Sequence, residues 1–344
     1  MIRFECDYLE GAHPEILRRL AETNMEQTIG YGCDEHCKNA AELIKKACNA
    51  PDSDVHFLVG GTQTNTTVIC SVLRPHQGVI SAETGHINVH ESGAIEATGH
   101  KVLSLPSADG KLTADAVEEY LNSHANDLNR EHMVQPGMVY ISYPTECGTL
   151  YTKQELESLY SVCKNGGVPL YIDGARMGYG LAAKGCNLTL PDVAANCDIF
   201  YIGGTKVGAL FGEALVINNS NFKKDFRYFI KQKGGLLAKG RLLGIQFEAL
   251  FENGLYFEIS KYAIDCAARI RKIFEECGYE FLSDSITNQQ FPIIPDNELE
   301  ILSKDFTYDY WCSMGNGKSA VRFCSSWATT KENLDSLEKA VKAL

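Results

Sequence analysis

The chain has 344 residues, of which 44% are hydrophobic and 22% are charged, a composition typical of a globular protein rather than a disordered chain or a coiled coil. At about 150 residues per domain, this length predicts about two domains. The 32 Lys and Arg against 44 Asp and Glu give a formal net charge of −12. Nucleic acid is therefore not an expected partner, because its binding needs a basic protein face.

No apolar run approaches the roughly 20 residues that a transmembrane helix needs, and residues 1–7 lack the apolar core of a signal peptide. We therefore expect a cytoplasmic protein without a membrane partner. The 13 cysteines are scattered and odd in number, so we expect most of them to be reduced and buried. Cys33 and Cys37 are one helical turn apart, but no second pair has matching spacing, and we expect no metal site.

Up to about residue 245, short apolar strands alternate with amphipathic helices. The predicted strands are residues 55–59, 79–81, 101–105, 138–142, 168–172 and 198–202. A helix is predicted over residues 65–73, and the capping-box pattern Thr152–Glu155 marks the start of another. This alternation predicts an α/β fold in which helices cover both faces of a mostly parallel sheet.

Beyond residue 245 the pattern changes. A long amphipathic stretch at 255–277 is followed by strand candidates at 279–282, 290–294, 308–312 and 319–325, and by a closing helix that begins at a capping pattern in residues 329–332. Grouped strands before a terminal helix predict an α+β unit. We therefore expect a large α/β domain over residues 1–245 and a smaller C-terminal α+β domain over residues 246–344, packed closely together.

Two glycine-containing segments resemble nucleotide-binding motifs without completing them. Gly315–Ser319 matches the end of a phosphate-binding P-loop, but Cys312 stands where that motif needs glycine, and a hairpin turn is the better prediction. Gly30–Gly32 opens like a dinucleotide fingerprint, although no strand precedes it.

The strongest functional signal comes from two predicted strand ends. Asp173 follows one strand, and Lys206 follows another after two glycines and Thr205. Ligands of open α/β sheets bind at the carboxyl ends of the strands. Either segment alone would be explained by an ion pair at the rim of the sheet. Together they predict a pyridoxal 5′-phosphate site, in which Lys206 holds the cofactor aldehyde and Asp173 keeps the pyridine nitrogen protonated.

Two further segments would complete such a site. Residues 59–65 predict a strand, a glycine turn and a helix start, whose backbone N–H groups can bind a phosphate. His86 follows another predicted strand, where an imidazole can stack on the pyridine ring or act as an acid and base. A hydrogen-bonded structural histidine is the commoner explanation of a single such residue.

Taken in order, these motifs resemble the low-specificity L-threonine aldolase and β-eliminating lyase family of fold type I, aminotransferase-like, pyridoxal-phosphate enzymes. The matching segments are Gly30–Asp34, Gly61–Asn65, Gly85-His86, Asp173–Arg176 and Thr205-Lys206, with further matches at residues 4–7, 11–14 and 321–323. The resemblance spans nearly the whole chain. It implies a large domain built on a mostly parallel seven-stranded sheet.

The resemblance also implies roles. Lys206 would bind the cofactor, Asp173 would pair with the pyridine nitrogen, and His86 would stack on the ring. The residues implied to hold the phosphate are Gly61, Thr62 and Thr205. Those implied to bind the substrate α-carboxylate are Arg322 and, in support, Arg176, which is also expected among the cofactor-binding residues. The implied reaction is a carbon–carbon lyase reaction, in which L-threonine, L-allo-threonine or a related β-hydroxy-α-amino acid is cleaved to glycine and an aldehyde, without a metal.

Three departures from the family pattern affect the expected site. Glu146 stands where the best-known members carry a second active-site histidine, so it is a candidate base or the mark of another reaction. Cys6 replaces the serine expected beside the substrate. The resemblance implies that Lys239 or Arg241 replaces a missing arginine. We expect Tyr31, Lys239 and Arg241 to reach the active site of a neighbouring subunit. The family forms homodimers and homotetramers, so we expect an oligomer.

Two alternative functions stay open at this point. A β-eliminating lyase acting on an aromatic or sulfur amino acid would share the lysine, the aspartate and the arginine, and Glu146 and His90 are compatible with it. A non-catalytic protein that binds pyridoxal phosphate is the other alternative. The presence of Lys206 and Asp173 together with both arginines argues against it, because a protein without catalysis does not need all four.

Overall fold

The computed structural model describes residues 1–344, the whole chain. The strands are β1 (Ile2–Arg3), β2 (Asp54–Leu58), β3 (Gln77–Ala82), β4 (Val102–Leu105), β5 (Gln135–Ser142), β6 (Leu170–Asp173), β7 (Ile199–Gly203), β8 (Glu213–Ile217), β9 (Glu280–Phe281), β10 (Gln289–Gln290), β11 (Pro292–Pro295), β12 (Phe306–Thr307), β13 (Asp309–Gly315) and β14 (Lys318–Cys324). The helices are α1 (Pro14–Glu22), α2 (Glu35–Ala47), α3 (Gly61–Val72), α4 (His86–Val89), α5 (Ala114–Asn126), α6 (Lys153–Asn165), α7 (Met177–Ala182), α8 (Leu190–Ala195), α9 (Phe226–Gln232), α10 (Arg241–Glu252), α11 (Leu255–Glu276), α12 (Asp296–Leu302) and α13 (Lys331–Val341).

The larger sheet has seven strands in the order β2-β8-β7-β6-β5-β3-β4. Strand β8 is antiparallel to both of its neighbours, and the other six strands run in one direction. The predicted mostly parallel, seven-stranded sheet is therefore confirmed. All six strands predicted in this region belong to it, and the strand missing from the prediction is β8.

Helices cover both faces of this sheet, as predicted. Successive side chains of a strand point to opposite faces, and here they divide between two apolar clusters. Ile80, Val139 and Ile172 belong to a cluster of 43 buried residues beneath α2, α6, α10 and α11. Their neighbours Val79 and Met138 belong to a cluster of 17 residues beneath α3 and α9. Strands buried on both faces in this way read as continuous apolar runs.

The C-terminal strands form a separate sheet in the order β10-β14-β11-β9, with β13 paired to β14. Its pairs are antiparallel, and the predicted hairpin turn at residues 315–317 is confirmed. All three turn residues have positive φ, the backbone region that glycine and asparagine adopt at least cost. The predicted boundary between residues 245 and 246 lies inside α10.

The N-terminal segment joins this C-terminal unit. Strand β1 pairs in parallel with β12. Phe4 packs in a third apolar cluster of 14 buried residues, together with side chains of α11, β14 and α13. Strands β1 and β12 form a two-stranded sheet of their own, and the start of the chain is thereby fixed to the C-terminal unit before the chain crosses to the larger sheet.

Helix starts follow the cap chemistry of the sequence, with one difference. Thr152 and Glu155 form the predicted capping box. In the last helix the N-cap is Thr330, whose hydroxyl accepts from the Asn333 N–H. The prediction of a capping box at residues 329–332 was wrong, because the residue three positions after the Thr330 N-cap is Asn333 rather than Glu332. No helix combines the length and the apolar character needed to cross a membrane.

The cysteines are less buried than expected. All 13 are unpaired, six are buried, and Cys33 and Cys277 are exposed. No cluster of three or more His, Cys, Asp or Glu side chains is arranged to hold a metal ion.

Candidate active site

A cavity of about 280 Å³ lies at the carboxyl ends of the larger sheet's parallel strands. The structure brings together around it all eight residues predicted for catalysis and cofactor binding. They are Gly61, Thr62, His86, Glu146, Asp173, Arg176, Thr205 and Lys206. These positions are up to 145 residues apart in sequence, so their convergence results from the order of the strands.

Asp173, the last residue of β6, is buried against the wall of this cavity. Its carboxylate accepts hydrogen bonds from the hydroxyls of Tyr140 (2.7 Å) and Tyr201 and from Asn65 Nδ2 (3.0 Å). Burial by itself would raise the pKa of Asp173, but the neighbouring His86 and these donors reverse that effect and lower it. The structure therefore holds a buried carboxylate in its charged form.

Lys206 lies on the turn that leaves β7. Burial and the positive charge of Arg176 lower the pKa of its amine, which favours the neutral, nucleophilic form. The turn requires its glycines, because a Cβ on Gly203 would lie 2.2 Å from the Ala175 carbonyl oxygen and a Cβ on Gly204 would lie 2.7 Å from that of Gly212. The two glycines before Lys206 thus let the turn pass close to neighbouring backbone.

The start of α3 forms the third part of the site. Its N-cap, Gly60, has no side chain to bond the free N–H groups of the first turn. A Cβ on Gly61 would lie 3.0 Å from the Tyr201 hydroxyl. Together with the hydroxyl group of Thr62, these N–H groups are a donor set suited to a phosphate dianion. Thr205 lines the same cavity, and its hydroxyl donates to Glu213 in this structure. An amine, a charged carboxylate and an anion cradle on one cavity fit pyridoxal 5′-phosphate.

His86 opens the short helix α4 and is bonded to a buried carboxylate. Its Nδ1 is 2.8 Å from Glu91 Oε1, and Asn65 Nδ2 is also 2.8 Å from that oxygen. Burial lowers the pKa of His86, but the bond to Glu91 and the charge of Asp173 outweigh it, so the pKa is raised. Sequence reasoning assigned no role to Asn65 and Glu91. Glu91 is five residues from His86, a separation that helical spacing does not single out.

Glu146 lies beside His86. Its Oε1 accepts from the His86 backbone N–H (3.0 Å) and the Ser142 hydroxyl (2.6 Å), while Oε2 has no hydrogen bond within the protein. Burial raises the pKa of this carboxyl group. The residue that replaces the expected histidine is therefore held at the cavity with one oxygen available.

Arg176 is held by an acidic partner from the N-terminal segment. Its Nε and one terminal nitrogen donate to the two oxygens of Asp7, at 2.7 and 3.0 Å. Burial raises the pKa of Asp7, but Arg176 and Lys206 together bring it down to about 2. Sequence reasoning did not single out Asp7.

The other two residues predicted for substrate binding do not line the cavity. Arg322 on β14 donates to Asp309 Oδ2 (2.8 Å) and Gln289 Oε1 (3.1 Å), and one of its nitrogens is 3.4 Å from the Glu5 carbonyl oxygen. Cys6, the next residue, is half-buried. Their substrate contacts stay predictions.

The three residues expected to reach a neighbouring subunit also lie away from the Lys206 cavity of their own chain. Tyr31 lines a separate cavity of about 200 Å³. Arg241 donates to the carbonyl oxygens of Thr23 and Asn24, and Lys239 is exposed. Their contact with a partner stays a prediction.

Two cavity residues were missed by sequence reasoning. The ring of Tyr8 lies 5.9 Å from the Lys206 amine. Glu213, the first residue of β8, accepts from Thr205 Oγ1 at 2.9 Å and from the Gly204 N–H at 3.1 Å. Recognising the apolar run at 214–217 as a strand would have pointed to Glu213.

Comparison with known proteins assigns the family. Residues 4–294 match the model of the beta-eliminating lyases. The chain belongs to the beta-eliminating lyase family. This lyase is 30% identical over 347 residues to the low specificity L-threonine aldolase of a Pseudomonas species, with 99% of this chain and 97% of that protein covered. The corresponding protein of Pseudomonas aeruginosa is 28% identical, with the same coverage.

Solved structures agree. The structure of Leishmania major threonine aldolase superposes on this lyase with a TM-score of 0.97 and 45% sequence identity, covering 100% of this chain and 99% of that chain. Aspartate aminotransferase of Thermus thermophilus superposes at a TM-score of 0.71 with 14% identity over 100% of this chain and 92% of that one, which shows the fold alone. The predicted family, the aminotransferase-like fold type I and the lyase class are confirmed.

Proposed function

We propose that this lyase is a pyridoxal 5′-phosphate-dependent aldolase that cleaves L-threonine, L-allo-threonine or a related β-hydroxy-α-amino acid to glycine and an aldehyde. The observation that carries the proposal is the convergence of Lys206, Asp173 and the uncapped start of α3 on one cavity. The relatives that align over nearly the whole chain are named threonine aldolases, and these names support the choice of reaction.

Each part of the cavity has a role toward the cofactor. Lys206 binds its aldehyde carbon, Asp173 keeps its ring nitrogen protonated, and the α3 N-terminus with Thr62 and Thr205 holds its phosphate. His86 stacks on the ring. The bound cofactor supplies a conjugated ring that accepts the electron pair released when the Cα–Cβ bond breaks.

The cleavage also needs a base for the proton of the β-hydroxyl group. We assign this role to Glu146, because its Oε2 has no hydrogen bond within the protein while its Oε1 is fixed by Ser142 and the His86 N–H. The raised pKa of Glu146 makes its carboxylate a better proton acceptor than an exposed one. As the aldehyde leaves, Oε2 holds that proton for return to the glycine carbon.

The substrate carboxylate is proposed to bind on the side of the cavity where the N-terminal segment passes. Arg176 lines the cavity there and is fixed in place by Asp7. Cys6 belongs to that segment, and Arg322 on β14 lies beside it, with one nitrogen 3.4 Å from the Glu5 carbonyl oxygen. A guanidinium fork suits a carboxylate.

We also propose a homodimer or homotetramer in the cytoplasm, with neither nucleic acid nor membrane as a partner. Met25, Ile29, Tyr31 and Tyr228 are exposed apolar side chains, and Tyr31 is one of the residues expected to reach the next subunit. Light scattering at working concentration tests this, and a monomeric mass would contradict it.

The β-elimination alternative is retained because Glu146 stands in place of the expected histidine. One experiment separates the two reactions. A visible spectrum of the purified protein is recorded before and after adding L-threonine, with glycine, acetaldehyde, pyruvate and ammonia assayed in the same tube. Formation of glycine and acetaldehyde supports the aldolase reaction. Formation of pyruvate and ammonia from any of a panel of amino acids supports β-elimination. No cofactor absorbance after adding pyridoxal phosphate would contradict both.

A further inference from the structure

Glu213 is a buried acid in the cavity that the proposed reaction does not use. It opens β8, where its backbone pairs with Gly203 of β7 and Leu58 of β2, and only 4% of its surface is exposed. Oε2 accepts from the Gly204 N–H at 3.1 Å, and Oε1 accepts from the Thr205 hydroxyl at 2.9 Å. Both donors belong to the turn that carries Lys206.

This position creates a conflict of charges. Thr205 is also expected to bind the cofactor phosphate, so a dianion would lie close to a carboxylate inside a cavity with little water. Like charges in such a setting repel strongly, and the repulsion is removed when the carboxyl group takes up a proton. A Gln at the same position would carry no charge, but with one acceptor oxygen it could accept from only one of the two donors on the turn.

The groups around Glu213 agree with a neutral acid. The titratable side chains that face it are Lys206 on the turn, Asp173 and Tyr171 on β6, Tyr201 on β7 and Tyr256 on α11. Burial is the largest influence and raises the pKa of Glu213 to about 8, although Thr205 and Lys206 act in the opposite direction. The negative charge of a bound phosphate would raise it further.

We propose that Glu213 is a positioning residue of the phosphate cradle, which orients Thr205 and Gly204 and carries a proton whenever the cofactor phosphate is bound. Cofactor binding is therefore coupled to proton uptake at Glu213. The proton comes from solvent and stays on the carboxyl group, and no bond to the cofactor is needed. The inference rests on the proposed cofactor.

Calorimetric titration of the cofactor-free protein with pyridoxamine 5′-phosphate tests the coupling. This compound carries the phosphate but no aldehyde, so the chemistry of Lys206 does not contribute. Measuring in two buffers of different ionisation enthalpy gives the protons taken up at pH 7 and pH 9. Subtracting the proton uptake of Glu213→Gln from that of the wild type removes the protons that the ligand itself takes up.

At pH 9 we expect the wild-type protein to take up close to one proton more than Glu213→Gln, and to bind roughly tenfold more weakly than that variant, because one pH unit above a pKa corresponds to a tenfold change. At pH 7 both differences should nearly vanish. Glu146→Gln is the matched control, since it removes a carboxyl group from the same cavity away from the turn, and it should keep the wild-type proton uptake.

The inference would be overturned by a wild-type protein that binds the ligand without added proton uptake at pH 9, a result that needs no variant to fold. Equal proton uptake in the wild type and Glu213→Gln would also overturn it, as would an equal loss of uptake in Glu213→Gln and Glu146→Gln. In these cases the ligand binds and the proposed function stands. Failure of the wild-type protein to bind the ligand at either pH would contradict both proposals.

Discussion

Nδ1 of His86 and Oε1 of Glu91 are 2.8 Å apart, and Asn65 connects the same carboxylate to Asp173. The imidazole proposed to stack on the cofactor ring and the acid proposed to bind the ring nitrogen therefore belong to one hydrogen-bonded network. Glu91 has no assigned contact with substrate, and its effect must pass through His86 or through Asn65 to Asp173.

Glu91→Gln should lower the pKa of His86, because the hydrogen bond to Glu91 is the main influence that raises it. The raised pKa keeps the wild-type imidazole protonated to higher pH. In the variant, the limb of the kcat/KM pH profile that reports the titration of His86 should therefore move to lower pH. The NMR titration of the His86 ring protons should move in the same direction. His90→Asn is the control, since its ring packs near His86 without bonding Glu91. Equal shifts in both variants would argue against a specific role for Glu91.

Lys206→Ala should bind pyridoxal phosphate without the covalent link, so borohydride should fix no cofactor to the chain and product formation should stop. The exposed Lys261 on α11 provides the control, and Lys261→Ala should keep both properties. Mass spectrometry of the borohydride-treated proteins makes the comparison. A cofactor still fixed in Lys206→Ala would overturn the assignment of the site.

Glu146→Gln should lower kcat by about 10²- to 10⁴-fold, the range for loss of a general base, with a smaller effect on KM. Burial raises the pKa of Glu146, so wild-type activity should fall as the pH drops through that raised value and the base becomes protonated. The variant should lack this acidic limb. Ser142→Ala removes a donor to Oε1 that lowers the pKa of Glu146, so this variant should retain the limb and move it to higher pH. A wild-type pH profile in Glu146→Gln would exclude the residue as the base.

Arg322→Ala should raise KM for the amino acid by about 10- to 100-fold, because a hydrogen bond to a charged group contributes about 1.5–3 kcal/mol, while kcat changes little. Asp309→Ala removes the present partner of Arg322 and should leave KM close to that of the wild type or lower it. Steady-state kinetics on both variants decide the matter. An unchanged KM in Arg322→Ala would remove Arg322 from the carboxylate site.

Asp7→Asn should destabilise the protein by about 3–5 kcal/mol at pH 7, because it leaves the buried Arg176 without its charged partner. The folded-state pKa of Asp7 is about 2, below the ordinary 3.8. The pair therefore stabilises the wild type above about pH 4, and this contribution is lost as the pH falls toward 2. Urea unfolding at several pH values measures both effects. Equal free energies of unfolding for the wild type and Asp7→Asn at pH 7 would contradict the role of Asp7 as the charged partner of Arg176.

The strand ends that carry Asp173 and Lys206 were predictable because apolar runs and glycine turns are local features of the sequence. Glu213 and Glu91 were not. Glu213 reaches the cavity only because β8 pairs antiparallel with β7, and Glu91 reaches His86 only because the chain turns back after α4. Asp7 meets Arg176 across 169 residues, and no local spacing predicts such a pair. Charged partners brought in by tertiary contacts are the part of the site that sequence patterns do not encode.

The path of the N-terminal segment has a practical consequence for protein engineering. Residues 2 and 3 form a strand with β12, and Asp7 follows within four positions of that strand. An affinity tag or fusion partner attached directly before Met1 would therefore lie next to the β1–β12 pair and close in sequence to Asp7, which fixes Arg176. Placing the tag after Leu344, beyond the end of α13, keeps foreign sequence away from the cavity.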